Sequence, residues 1–323
     1  MRKNDKGSGE NDGGAMKAIR IHSFGGPDVL RIEDVPVPRP GAREIRIRVI
    51  AAGVNPLDWA IRQGYLNLTL PMTMGVDVSG IVDAIGEKET AFEIGDKVYA
   101  KVTPGQGGYV EFTVTDASQA AAKPKSIGFI EAAAIPTAGL AAWQAIFDTA
   151  GLKTGQSILI HGAAGGVGSF AVQFAKWKGA FVAGTASGDH TRFVKELGAD
   201  QVIDYKVQRF EDVVHDMDVV LDTVGGDTFD RSWAVLKPGG FLVTTVAMIP
   251  EGAAAAHGVG ASRIVTQPNG KELAKIAELI DKGYVKPQVT SVLPLAEAKK
   301  AQEMSETRHT KGKIVLRVAE DPK

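Results

Sequence analysis

The stretch Ser157-Ile-Leu-Ile-His-Gly-Ala-Ala-Gly-Gly-Val-Gly-Ser-Phe-Ala-Val-Gln-Phe-Ala-Lys176 constrains the chain more than any other. It begins as a short Ile-rich run, too short for a helix and bounded by glycine, which reads as a buried parallel strand. The period then changes. Val167, Phe170, Ala171, Phe174 and Ala175 recur at helical spacing, so a helix starts at the glycine turn and lays one apolar stripe on a sheet.

Strand, glycine turn and helix form the phosphate-binding corner of a dinucleotide fold. Backbone N–H groups and the helix dipole both favour an anionic diphosphate there. The usual fingerprint is G-x-G-x-x-G; the aligned run is Ala163-Ala-Gly165-Gly-Val-Gly168, with Gly162 one place before the missing first glycine. Gly165 lets the backbone approach the diphosphate and Gly168 allows close helix–strand packing. A tight turn that binds nothing would use the same glycines.

A chain of 323 residues suggests roughly two domains. With 44% hydrophobic and 23% charged residues it can build ordinary cores. A net charge of −1 gives no electrostatic reason to expect nucleic acid or an anionic membrane as partner. No apolar run approaches membrane-spanning length. The absence of cysteine excludes disulfides and thiolate metal sites and is compatible with a reducing cytoplasm, where the protein is expected. Residues 1–15 carry almost nothing apolar and read as a disordered extension, with Met16 opening the folded part.

From Met16 to about Ala122 the period is mostly two. Ile45, Ile47 and Val49 alternate with Arg46 and Arg48, and Val110, Phe112 and Val114 alternate with Glu111 and Thr113. Glycines and prolines break this region into short strands, a compact β-rich domain. From Ser157 strands alternate with helices: Phe181–Ala186, Gln201–Asp204, Asp218–Val224 and Phe241–Ala247 read as strands, 192–197, 210–214 and 229–236 as helices. That alternation implies a doubly wound parallel sheet with its ligand crevice at the carboxyl ends of the strands. Asn269 caps a further helix with Glu272 at the capping-box position and Gly283 ending it. The Ala/Gly run 252–261 reads as a loop, 295–307 as a helix, and 313–318 as a terminal strand returning to the first domain.

The segments Ala52-Gly-Val-Asn-Pro-Leu-Asp58, Gly75-Val-Asp-Val-Ser-Gly80, Gly95-Asp-Lys-Val98, Gly107-Gly-Tyr-Val-Glu111, Ala163–Gly168 and Gly312-Lys-Ile-Val-Leu316 stand in an order and spacing that are specific. On them the chain resembles the medium-chain dehydrogenase/reductase superfamily, and within it the zinc-independent quinone oxidoreductases. The resemblance implies an α/β architecture: a GroES-like β-rich domain, residues 16–136 and 285–323, beside a Rossmann domain with a doubly wound parallel sheet, residues 137–284. Zinc-dependent relatives place a cysteine where Asn55 stands and a histidine where Val76 stands, followed by an acid where Asp77 stands. Amide and isopropyl groups do not replace thiolate and imidazole around tetrahedral zinc, so no metal is expected.

The NAD-binding form of this fold holds the ribose with an acid at the end of the second strand; Ala186 stands there. Ser187, His190 and Arg192 follow, able to donate to a 2′-phosphate, and the resemblance adds Tyr205. NADPH is therefore the expected cofactor over NADH, although Asp189, shifted by a few positions, would serve as a ribose acid. The cofactor-binding set is Thr137, Ala164, Gly165, Gly166, Val167, Gly168, Ser187, His190, Arg192, Tyr205, Val246 and Met248. Of these, Thr137, Tyr205, Val246 and Met248 are placed by the resemblance alone. It also puts Asn55 near the nicotinamide, as an amide donor to a developing oxyanion, with Tyr65 and Tyr109 as proton donors or lid aromatics. Asn55-Pro56 as a plain turn remains the alternative. Asp58 reads as a buried hydrogen-bond acceptor and His161 as packing near the cofactor. The resemblance implies reduction of a small quinone or enone by hydride transfer. A narrow-substrate enoyl or alkenal reductase and a non-catalytic nucleotide-binding protein are the alternatives, and a homodimer pairing through Phe241–Ala247 is expected.

Overall fold

The computed structural model describes residues 14–66 and 68–321, and among them three sheets organise the chain. The extension expected over 1–15 lies outside the described residues up to position 13. Ala15 is already paired, opposite Pro36, in the strand Ala15–Ile21.

The strand Ser157–Ile160 is at the centre of a six-stranded sheet. Phe181–Ala186 and then Gln201–Asp204 lie to one side of it, and Met217–Asp222, Leu236–Thr244 and Gly260–Arg263 to the other, all parallel. The chain therefore winds outward twice from the same strand, and the order reverses between Ser157–Ile160 and Met217–Asp222. Such a reversal opens a crevice beyond the carboxyl ends of the two strands. The helix Gly166–Lys178 starts there and buries Phe170, Ala171, Phe174 and Ala175, the stripe its spacing predicts. Each buried phenylalanine contributes about 1.5–3 kcal/mol.

The second sheet carries the strand Glu44–Val54 through its middle, with Ile45, Ile47 and Val49 fully buried. Asp77–Ile85 and Phe112–Asp116 pair with it, and Lys97–Lys101 extends the sheet. The terminal strand Lys313–Arg317 adds antiparallel to Glu44–Val54, the return expected of a strand with no helix after it. Tyr99 donates its hydroxyl to the carbonyl of Leu273 at 2.5 Å, tying this sheet to the helix Gly270–Asp281, which Asn269 caps through the amides of Lys271 and Glu272.

Three expectations need correction. In Phe112–Asp116 the buried face is Thr113 and Thr115, whereas Phe112 and Val114 are half-buried. Phe112 lies under the guanidinium of Arg46, 5.6 Å from its ring centre, while still packing against the apolar core beside it. The strand expected at Phe241–Ala247 runs Leu236–Thr244, and the loop expected over 252–261 contains a helical turn, Ala253–Ala256, and the start of the strand Gly260–Arg263. Leu236–Thr244 therefore has a neighbouring strand on each side, so a second copy cannot pair through Phe241–Ala247 as expected; on that flank the edge belongs to Gly260–Arg263.

Candidate active site

The crevice is built first from backbone. His161 ends the central strand with its N–H on the carbonyl of Leu221 at 2.9 Å. Its ring is fully buried between Thr185 Oγ1 (3.2 Å) and Ser232 Oγ (3.0 Å), edge-on to Phe210. Burial lowers its pKa to about 4, so the imidazole is neutral at pH 7 and serves as packing. Gly162 turns the chain at φ +68°, and the N–H of Gly165 closes onto its carbonyl at 2.9 Å. At Gly168 a Cβ would stand 2.2 Å from that same carbonyl oxygen, so only glycine lets the helix come this close. The first helical turn leaves the N–H groups of Gly166, Val167 and Gly168 without intrahelical acceptors, at the positive end of a 13-residue helix. A dinucleotide diphosphate fits that cradle.

The other lobe docks on the bend. Gly312 donates its N–H to the carbonyl of Ala164 at 2.8 Å and forms a parallel bridge with Gly165. Lys313 follows, buried, with its aliphatic stem against Gly166. Its ammonium donates to the carbonyl of Val54 at 2.7 Å and to Asn55 Oδ1. Burial lowers its pKa.

Asn55 is the centre of a buried polar knot. It caps the helix Pro56–Arg62 and is 2% exposed. Its Nδ2 donates to Asp77 Oδ2 at 2.9 Å, opposite the contact with Lys313. Asp77 also accepts the N–H of Thr137, 3.0 Å from both oxygens, and its hydroxyl at 2.5 Å. A carboxylate from the second sheet thus caps the helix Pro136–Trp143. Lys101 stands opposite Asp77 in the strand register, on the same face; it too is buried and its pKa lowered by burial. Asp58 Oδ2 accepts the N–H of Asn55 at 2.8 Å and the hydroxyl of Tyr109 at 2.7 Å, while Oδ1 has no partner. Burial raises the Asp58 pKa to about 7, against the opposing effect of the Tyr109 hydrogen bond.

Behind the knot, the fully buried Arg62 donates to Gln302 Oε1 at 2.7 Å, to the carbonyl of Gly25 at 2.6 Å and to Glu306. It fastens the helix beginning at Pro56 to the helix Ala298–Glu306.

The predicted site residues separate into groups. Asn55, Tyr109 and Thr137 join one hydrogen-bonded knot, and Asp58 is the buried acceptor its position implies. Tyr109 has no exposed surface, so it does not act as a lid aromatic. Ala164 to Gly168 form the bend. Ser187 Oγ meets His190 Nδ1 at 3.3 Å at the end of the strand Phe181–Ala186. Arg192 has its side chain 91% exposed and engages Glu196 at 2.8 Å, and Tyr205 is an exposed residue just beyond the neighbouring strand. Tyr65 is 73% exposed, edge-on to Trp59. Val246 and Met248 are exposed beyond Leu236–Thr244, with Arg263 Nη1 on the Met248 sulfur at 3.0 Å. Sequence reasoning misses Asp77, Lys101, Lys313 and Arg62 as site residues. A lysine opening the apolar run Ile314–Leu316, and an arginine in line with Trp59 and Asp58 on a short helix, are the signals available. Among the described residues no group of three or more His, Cys, Asp or Glu is placed to hold a metal ion, and no helix is long and apolar enough to cross a membrane.

Comparison with known proteins agrees with this geometry. Residues 41–146 match the family model described as the alcohol dehydrogenase GroES-like domain, and residues 197–316 the one described as zinc-binding dehydrogenase. The chain is 37% identical to the chloroplastic NADPH-dependent alkenal/one oxidoreductase of Arabidopsis thaliana, over 93% of this chain and 79% of that one. It is 32% identical to the quinone oxidoreductase of Mus musculus, over 89% and 93% of the two chains. The quinone oxidoreductase of Escherichia coli, solved in complex with NADPH, superposes with a TM-score of 0.86 at 30% identity, covering 94% of this chain and 100% of that one. With a twice-wound parallel sheet, a GroES-like partner closed by the terminal strand, and relatives of this kind over nearly its whole length, the chain belongs to the medium-chain dehydrogenase/reductase superfamily, in its quinone oxidoreductase-like branch.

Proposed function

We propose that the protein is an NADPH-dependent reductase of quinones or α,β-unsaturated carbonyl compounds that works without zinc. One observation carries the reading: the Gly312–Gly165 bridge brings the Lys313–Asn55 contact directly against the phosphate-binding bend. A diphosphate held by the amides of Gly166 and Val167 therefore lies next to a pinned, buried amide. When bound, the reduced nicotinamide supplies a hydride to the conjugated acceptor. The Asn55 amide, with one Nδ2 hydrogen on Asp77, donates the other to the oxygen on which charge develops. Asn55 and Asp77 engage each other, and Lys313 occupies the amide oxygen, so the polar groups that a zinc site would recruit are already paired.

The names of the relatives support NADPH and the acceptor class. We assign the 2′-phosphate to Ser187, His190, Arg192 and Tyr205, with Ala186 leaving the end of that strand uncharged. We further expect a cytoplasmic homodimer joined through the free edge of Gly260–Arg263; sedimentation showing monomers at micromolar concentration would remove the dimer. The functional test is stopped-flow loss of NADPH absorbance with a quinone and with an enal. Turnover of at least one supports the proposal. Tight NADPH binding without turnover of either would replace it by a non-catalytic nucleotide-binding role.

A further inference from the structure

The geometry points to Asp77 as a positioning residue for the reduction: it decides which way the Asn55 amide faces, and so which hydrogen-bonding group the cleft offers the acceptor. This rests on the functional reading above. An amide can be turned over with little change of shape, exchanging its oxygen and nitrogen. Here the two sides are not equivalent. Asp77 Oδ2, which only accepts, lies 2.9 Å from Asn55 Nδ2, and the Lys313 ammonium, which only donates, lies at Oδ1. Turning the amide would set oxygen against carboxylate and nitrogen against ammonium, all within a buried site. Asp77 is itself held by three contacts with Thr137, so it cannot follow such a turn.

The consequence is specific. In Asp77→Leu nothing accepts from Asn55 Nδ2, and the amide hydrogen is no longer held toward the cleft. In Asp77→Asn the new amide can turn its oxygen to Asn55 and the N–H of Thr137 and give its nitrogen to the Thr137 hydroxyl, so an acceptor is kept. Combining Asn55→Asp with Asp77→Asn keeps the charges paired: Lys313 donates to the carboxylate now at position 55, and so does the amide nitrogen now at position 77. Thr137 donates its hydroxyl to the oxygen of that second amide. The double variant still offers no donor at position 55.

The experiment compares wild type, Asp77→Leu, Asp77→Asn and the double exchange by melting temperature, NADPH fluorescence titration, and kcat with an enone and a quinone. Asp77→Leu is expected to lower kcat about 100-fold, the low end of the range for loss of one oxyanion donor, with Asp77→Asn within about threefold of wild type and the NADPH dissociation constant of both changed less than about twofold. The double exchange is expected to recover the wild-type melting temperature and to leave kcat low. Recovery of kcat with the melting temperature shows that only pairing matters and overturns the positioning role. So does an unchanged kcat in Asp77→Leu, a loss in Asp77→Asn as large as in Asp77→Leu, or failure of the double exchange to fold. A wild type that turns over no acceptor overturns the functional reading itself, and this inference with it.

Discussion

The glycine bend at residues 162–168 and the polar knot around Asn55 touch each other, yet they are built on opposite principles. The bend is seven consecutive residues and works through backbone: one positive φ, one position closed to any side chain, and free amides at a helix start. The knot draws Asn55, Asp58, Asp77, Tyr109, Thr137 and Lys313 from several elements, with Lys101 opposite Asp77, and works through paired charge. A backbone cradle needs only local shape. A charged knot out of water is satisfied only when the whole fold is assembled, and breaking one partner leaves another exposed to an apolar interior. Damage to the bend should therefore appear in cofactor affinity, and damage to the knot in stability and turnover.

The sharpest attempt to break this division is Gly168→Ala. Its Cβ meets the carbonyl of Gly162 and the Cα of Ala163, backbone that has nowhere to go. We expect a loss of more than about 3 kcal/mol and a rise of about 100-fold in the NADPH dissociation constant, measured by titration on the folded fraction. Arg62→Met attacks the support of the knot. It leaves Gln302 and Glu306 without their partner and should cost about 3 kcal/mol in urea unfolding, with NADPH affinity unchanged.

Asp58→Asn sharpens the comparison through pH. Burial lifts the Asp58 carboxyl to about 7 from 3.8, so the unfolded chain releases that proton at a lower pH than the folded one. The wild type then loses stability as pH rises through the interval between those values and loses no more above about 7. Relative to Asp58→Asn it should weaken by about 2 kcal/mol between about pH 5 and pH 7.5, read from paired melting curves. A constant difference across that range would show that Asp58 titrates normally. The smallest effect is outside both regions. Arg192→Ala should raise the Michaelis constant for NADPH about tenfold and leave that for NADH nearly unchanged. Equal effects on the two would remove Arg192 from the phosphate pocket.

What the residues disclose in advance follows the same division. The strands Phe181–Ala186 and Gln201–Asp204 and the helix capped by Asn269 are readable because their signals are local: apolar runs, a cap and a glycine stop. Alternation misleads at Phe112, where a long-range partner, Arg46, covers the aromatic and lets threonines take the inner face. The fifth strand of the parallel sheet is misread as Phe241–Ala247 because Pro238-Gly-Gly240 looks like a break, whereas the sheet absorbs it with a register shift opposite 217–219. In the site, the bend is legible as a motif. The pairing of Asn55 with Lys313 joins residues 258 apart in the chain, and no periodicity or cap encodes it. Tyr109 likewise looks like a loop aromatic until the fold presents Asp58 to its hydroxyl.

The most direct test of the account is a calorimetric titration of the purified protein with NADPH and, separately, NADH. Saturable one-site binding of NADPH, at least about tenfold tighter than NADH and weakened about 100-fold in Gly168→Ala, is the predicted result. No binding of either dinucleotide, or binding untouched by Gly168→Ala, would contradict the assignment of the 162–168 bend as the cofactor cradle.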